Sequence, residues 1–291
     1  MKPAPFAYLR PGTLEEALEA LAADDGAKVL AGGQSLVPLL SMRLAAPSRL
    51  VDINALPDLA EVTVTDGEVR IGALARHASV LADEAAAEAQ PLLRTALRHV
   101  AHATIRNRGT TVGSLVHADA AAEMPAVLRL LGGAVEVASV SGRRTIPASE
   151  LYLGLLESSL RHDEIAVGAS FPRLAADEGV AFDEVARRHG DYAVCGVAAL
   201  VQVSDDRVTA ARAAYLSVND VPTVVDLGAA LADGLTGPAL AAAGEEALRH
   251  LEPMADLHAS ADYRAHLVRV LTARVLRAAE EHARTRQVAA A

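Results

Sequence analysis

The chain has 291 residues, 52% of them hydrophobic, which is enough for two or three domains with a sizeable core; with no Trp, 3 Phe and 5 Tyr, that core must be filled by Ala, Leu and Val. A net charge of −10 without any Lys/Arg run argues against nucleic acid as a partner. The single cysteine, Cys195, leaves no internal disulfide and no cysteine cage for zinc or iron–sulfur; no apolar stretch of about 18 residues predicts a transmembrane segment, and the start Met1-Lys2-Pro3-Ala4-Pro5-Phe6 lacks the apolar run of a signal peptide, so the expected compartment is cytoplasmic.

Thr13-x-x-Glu16, placed ahead of Leu14, Leu18 and Leu21, predicts a capped amphipathic helix. The apolar run 28–31 reads as a strand that meets Gly32-Gly33, and Ser35-Leu36 opens a helix that Pro47 stops. Residues 50–53 form a further strand. Val62, Val64, Val69 and Ile71 alternate around Asp66-Gly67, which predicts a hairpin. A helix over 91–100, a polar segment 104–114 and a helix over 125–131 follow. Next come a second hairpin around Ser141-Gly142 and a strand over 165–171. Pro172 and the polar stretch 173–179 mark a domain boundary. Beyond it, strands over 194–203 and 208–216 precede helices after Pro222, the longest over 261–286 with Leu267, Val268, Leu271 and Val275 on one face. Strands first and helices last predict a small α+β unit.

Two stretches carry candidate chemistry. In Ala31-Gly32-Gly33-Gln34-Ser35, residues without a Cβ let the backbone approach a pyrophosphate, and successive N–H groups can each donate to an oxygen. A plain tight turn fits the same residues. In the segment 103–119, Thr110, Thr111 and Ser114 beside Gly113 suit phosphate or ribityl oxygens, with Arg106 or Arg108 to balance charge; a solvated surface loop is the other reading. His99 and His102 lack a third ligand and read as ordinary residues, and Cys195 reads as a small buried hydrophobe. No residue is singled out as catalytic and no metal site is expected.

Together, the two stretches resemble the FAD-binding subunit of the molybdenum hydroxylases, that is, the medium subunit of aerobic carbon monoxide dehydrogenase and its relatives and the flavin domain of xanthine dehydrogenase. Pro5-Phe6-x-Tyr8, Asp52-Ile53, Ile105-Arg106-Asn107-Arg108-Gly109-Thr110, His117-Ala118-Asp119 and Arg187-Arg188-x-Gly190-Asp191-Tyr192-Ala193 carry the same likeness, which spans essentially the whole chain. The resemblance implies an α+β (mixed α/β) architecture. A two-subdomain FAD-binding fold of the PCMH/vanillyl-alcohol-oxidase type would occupy 1–174, divided near residue 55, and a C-terminal domain of antiparallel sheet and helices would occupy 175–291. It further implies that residues 31–35 and 110–114 bind the pyrophosphate and ribityl region and that Asp119 and Glu123 are cofactor contacts. Leu160 and Ile165 would line the flavin side, and Tyr192 would lie close to the isoalloxazine. Val112 departs from the pattern, standing where many relatives have the first of two glycines; a Cβ there restricts positive φ.

By the same resemblance the chain is an oxidoreductase subunit that transfers electrons. It would take them from two [2Fe–2S] clusters on a small subunit and pass them to an external acceptor. The molybdenum cofactor would sit on a large subunit, in a dimer of heterotrimers. A stand-alone FAD oxidoreductase of the same fold and a non-catalytic nucleotide-binding scaffold are the competing readings.

Overall fold

The computed structural model describes residues 2–290. The chain opens with β1 (Ala7–Leu9), α1 (Leu14–Ala22), β2 (Ala27–Leu30), α2 (Leu36–Met42) and β3 (Arg49–Asp52). The three strands form a parallel sheet in the order β1-β3-β2, with Arg49 opposite both Ala7 and Ala27. Thr13 caps α1, its Oγ1 accepting from the Glu16 N–H at 3.2 Å, and the Glu16 carboxylate reaches back to the Gly12 N–H at 2.7 Å. This capped helix buries Ala17, Leu18, Ala20 and Leu21 against the sheet; each leucine contributes roughly 1.5–3 kcal/mol by leaving water. The helix α2 stops at Met42, well before Pro47, because Arg43 turns left-handed (φ 58°) and its N–H closes on the last carbonyls.

The second subdomain runs through β4 (Val62–Val64), β5 (Glu68–Gly72), α3 (His77–Ala82), α4 (Glu84–Ala89), α5 (Pro91–Leu97), α6 (Ala103–Arg106), α7 (Thr111–His117) and α8 (Glu123–Leu131). It continues with β6 (Ala134–Ser139), β7 (Gly142–Pro147), α9 (Ala148–Leu151), β8 (Tyr152–Gly154), β9 (Glu157–Ser158) and β10 (Ile165–Pro172). Five of these strands make an antiparallel sheet in the order β4-β5-β10-β6-β7. The last strand, β10, is inserted between the two predicted hairpins, pairing Gly168 with Gly72 on one side and Ile165 with Ala138 on the other. The polar segment 104–114 is a loop only over 107–110. The rest folds into α6 and the start of α7 because the Thr110 hydroxyl, accepting from the Gly113 N–H, begins a new helix.

The third unit holds β11 (Glu178–Ala186), β12 (Ala193–Ser204), β13 (Arg207–Leu216), β14 (Thr223–Asp226), α10 (Gly237–Leu248) and α11 (Ala261–Ala290). Its sheet is antiparallel in chain order. The expected helices α10 and α11 do come after Pro222, but two strands were not foreseen. The first strand starts inside the polar stretch 173–179, and another directly follows Pro222, ahead of the helices. Nine consecutive residues at the start of β12 are buried because both faces of the sheet are covered. Ala198 and Leu200 face the core shared with the first two subdomains, whereas Val197, Ala199, Val201 and Val203 face the core under α11. One sheet is thereby the common wall of two cores. Cys195 is fully buried there, its thiol pushed up to about 12 by burial. Among the described residues no helix is long and apolar enough to cross a membrane.

Candidate functional site

The first glycine-bearing loop leaves β2 at Leu30 and enters α2 at Leu36. Gly33 has φ +73°, a conformation that an L side chain adopts only with strain. The backbone N–H groups of Gly32, Gly33, Gln34, Ser35 and Leu36 donate to no acceptor among the described residues. Five successive uncommitted donors on a bend between a strand and a helix are of the kind that can hold an anion. Ser35 makes no capping bond with its side chain, so its hydroxyl is free as well. The amide of Gln34 turns back to the Gly32 carbonyl at 3.2 Å and stiffens the bend.

The second loop lies directly against the first. A Cβ on Gly32 would stand 2.4 Å from the Arg108 carbonyl oxygen and 2.9 Å from Gly109 Cα, so only glycine permits this approach. Beneath the second loop sits His77, whose N–H donates to the Gly109 carbonyl at 2.9 Å and whose Nδ1 lies 3.2 Å from Thr111 Oγ1. Burial, helped by the Arg106 charge, lowers the His77 pKa to about 4, so the ring is neutral. Arg76 donates to the Arg108 carbonyl and to Asn54 Oδ1, each at 2.6 Å. Of the two arginines proposed to balance charge, Arg106 is committed to the Val100 and Ala101 carbonyls at 2.8 and 2.7 Å, and Arg108 is exposed. Val112 is helical in α7 and only 1% exposed, so its side chain enters the core and the positive φ at issue does not arise. Gly113 is needed for the cap itself, since a Cβ there would lie 2.5 Å from Thr110 Oγ1.

At the far end of α7, about 10 Å away at 1.5 Å per residue, Ala118 turns left-handed (φ 55°) and the chain passes Asp119 into α8. Two long-range bonds pin this turn. The Leu156 N–H donates to the Ala118 carbonyl at 3.0 Å, and the Ser217 N–H from the third unit donates to the Ala120 carbonyl at 2.8 Å. Glu123 opens α8 almost fully buried. Burial first, then Glu184 and Asp119, raise its pKa to about 8, so at neutral pH it retains its proton and presents an O–H donor. Tyr192 is 70% exposed above this seam, its phenol pKa raised by partial desolvation and by the Asp119 and Glu123 carboxyl groups. It borders a cleft of about 300 Å³ lined also by Asp119, Arg187, Asp191, Asp256 and Arg264.

The structure therefore gathers residues 31–35 with 110–114 at one end of α7, and Asp119, Glu123 and Tyr192 at the other. Leu160 is half-buried after β9, and Ile165 is closed into the core at the start of β10. Asn54, Arg76 and His77 belong to no motif in the sequence, and their part in the site comes only from bonds to residues 22 to 34 positions away. His99 lies 3.6 Å from Glu184, and no group of three or more residues able to hold a metal occurs among the described residues. The donor set suits a dinucleotide: uncommitted backbone N–H groups with no carboxylate among them at one end, and a neutral acid and an aromatic at the other.

Residues 4–174 match the FAD binding domain in molybdopterin dehydrogenase, and residues 180–279 match the CO dehydrogenase flavoprotein C-terminal domain. Subunit alpha of the 6-hydroxypseudooxynicotine dehydrogenase complex of Paenarthrobacter nicotinovorans is 42% identical, over 98% of this chain and 97% of that protein. Among solved structures, quinoline 2-oxidoreductase from Pseudomonas putida 86 is 37% identical with a TM-score of 0.91, over 99% of this chain and all of that one. The carbon monoxide dehydrogenase of Hydrogenophaga pseudoflava is 32% identical with a TM-score of 0.91, over 97% and 99% of the two chains.

Proposed function

This chain belongs to the family of FAD-binding subunits of molybdopterin dehydrogenases, and on that premise we propose that it is the electron-transfer flavoprotein of a three-subunit molybdenum hydroxylase. A small partner would hold two [2Fe–2S] clusters, and a large partner would hold the molybdenum cofactor and choose the substrate, in a dimer of heterotrimers within the cytoplasm. FAD supplies a redox centre that takes up electrons and passes them on, and the protein supplies its binding and its surroundings.

The observation that carries this reading is the run of uncommitted N–H groups from Gly32 to Leu36, held against Arg108 and Gly109. These groups bind the pyrophosphate oxygens. Thr110, Gly113 and Ser114 bind the adjoining ribityl region, with Ala31, Gln34 and Ser35 completing the first loop, whereas the fully buried Thr111 turns its hydroxyl to His77 behind them. Asp119 and Glu123 contact the cofactor beyond α7, where the neutral Glu123 carboxyl donates a hydrogen bond. Leu160 forms the apolar wall on the flavin side, with the core-buried Ile165 behind it and out of reach of the ring, and Tyr192 covers the ring from the third unit. A functional division at 174/175 accords with a cofactor that contacts both parts.

Purified full-length chain is expected to be yellow, or to take up one equivalent of FAD when it is added, and to stay oxidised with small substrates until the partner subunits are supplied. Reduction by a substrate without partners would make it a stand-alone oxidoreductase. A colourless protein that takes up no FAD would overturn the assignment.

A further inference from the structure

We propose that Arg76, acting through Asn54, is a positioning residue that locks the two glycine-bearing loops at the separation a diphosphate requires; the proposal rests on the flavin reading above. Arg76 stands between β5 and α3 and lies in neither loop. Its guanidinium is a two-pronged bridge: Nη1 donates to the Arg108 carbonyl and Nη2 to Asn54 Oδ1, both at 2.6 Å. Asn54 is itself fixed. Its N–H donates to Asp52 Oδ1 at 3.0 Å, and the other oxygen of Asp52 accepts from the Tyr8 hydroxyl at 2.5 Å. The Asn54 amide then donates to the Ala31 carbonyl at 2.9 Å. A continuous relay thus runs from the carbonyl before Gly32 to the carbonyl before Gly109.

The direction of those carbonyls is what matters. In a trans peptide the C=O and the following N–H point opposite ways. Holding the Ala31 oxygen on Asn54 therefore aims the Gly32 N–H away from the relay, toward the side where a phosphate would lie. The Arg108 oxygen sits closest to Gly32, and an uncompensated carbonyl there would present negative potential to an incoming anion. Arg76 draws that lone pair into a charge-assisted bond. An arginine suits the task because its planar fork meets two acceptors at once, whereas a lysine is a single point charge.

The test uses the full chain with Arg76→Met, Arg76→Lys, Asn54→Ala and the Asn54→Ala/Arg76→Met pair. Affinities are measured for FAD, for ADP as a probe of the phosphate cradle alone, and for lumiflavin as a probe of the ring site alone, together with the melting of the ligand-free chain. Arg76→Met should weaken FAD and ADP about ten- to a hundredfold, the loss of one or two charge-assisted bonds, and leave lumiflavin unchanged. Arg76→Lys should recover part of the loss. The paired variant should lose less than the product of the single losses, because both residues serve one relay. Parent-like ADP binding in Arg76→Met overturns the clamp, as does a lumiflavin loss that keeps step with ADP, the mark of general disorder. Should Arg76→Met fail to fold, Asn54→Ala decides on the same two readouts. A parent chain that binds neither FAD nor ADP overturns the flavin reading, and the clamp with it.

Discussion

Replacing Gly32 with alanine adds one methyl group where the structure has no room for it. The new Cβ would lie 2.4 Å from the Arg108 oxygen, 2.9 Å from Gly109 Cα and 3.1 Å from the Arg108 carbonyl carbon. All three are backbone atoms, so no rotamer change relieves the contact, and the loops must separate by about 1 Å to reach ordinary van der Waals distance. Overpacking of this kind costs about 1–3 kcal/mol. In the ligand-free chain the loops can give way at this contact by stretching the Arg76 bonds and so shed part of that cost, but a diphosphate bound by both loops must draw them together again. That part of the cost therefore appears in the binding step, as a loss of up to roughly two-hundredfold in FAD affinity. Titration of the ligand-free chain with FAD, followed by quenching of flavin fluorescence, gives the number. A parallel melt of the ligand-free protein should move by only a few degrees. If Gly32→Ala binds FAD within twofold of the parent, the two loops do not act together on the cofactor.

Gly33→Val should also weaken FAD retention. A β-branched residue at φ +73° costs about 1–2 kcal/mol in the backbone, and its Cβ meets Leu30 and Val37 side chains at 3.2 Å; equal retention on gel filtration would misplace the pyrophosphate. Glu123 carries a pH dependence. Because its folded pKa is raised by burial from 4.5 to about 8, the native state holds a proton that the unfolded chain has released. Its contribution is most favourable below about pH 4.5 and is lost as pH climbs toward 8, with a ceiling of about 5 kcal/mol. Glu123→Gln, neutral throughout, should flatten the denaturation midpoint between pH 5 and 8 and gain most at the alkaline end. Parallel profiles for parent and variant would show that Glu123 is not held protonated.

What the sequence determined by itself is local. The capped helix α1, the bend at Gly32-Gly33 and the hairpin at Asp66-Gly67 follow from side-chain chemistry within a few residues, and so were legible before any coordinates. The apolar run at 194–203 was legible as a strand for the same reason, although not that both its faces are covered. Strands β11 and β14 escaped because charged and turn-forming residues surround them, and only pairing with β12 and β13 makes them strands. The tertiary structure alone decided that Gly32 touches Arg108 and that Arg76 and Asn54 join the two loops. It also decided that Glu123 and Glu184, on different domains, share a buried seam. Hydrogen bonds and desolvation act over a few ångströms of space regardless of distance along the chain. Which residues share such a space is fixed only when the sheets close and the third unit docks on α8.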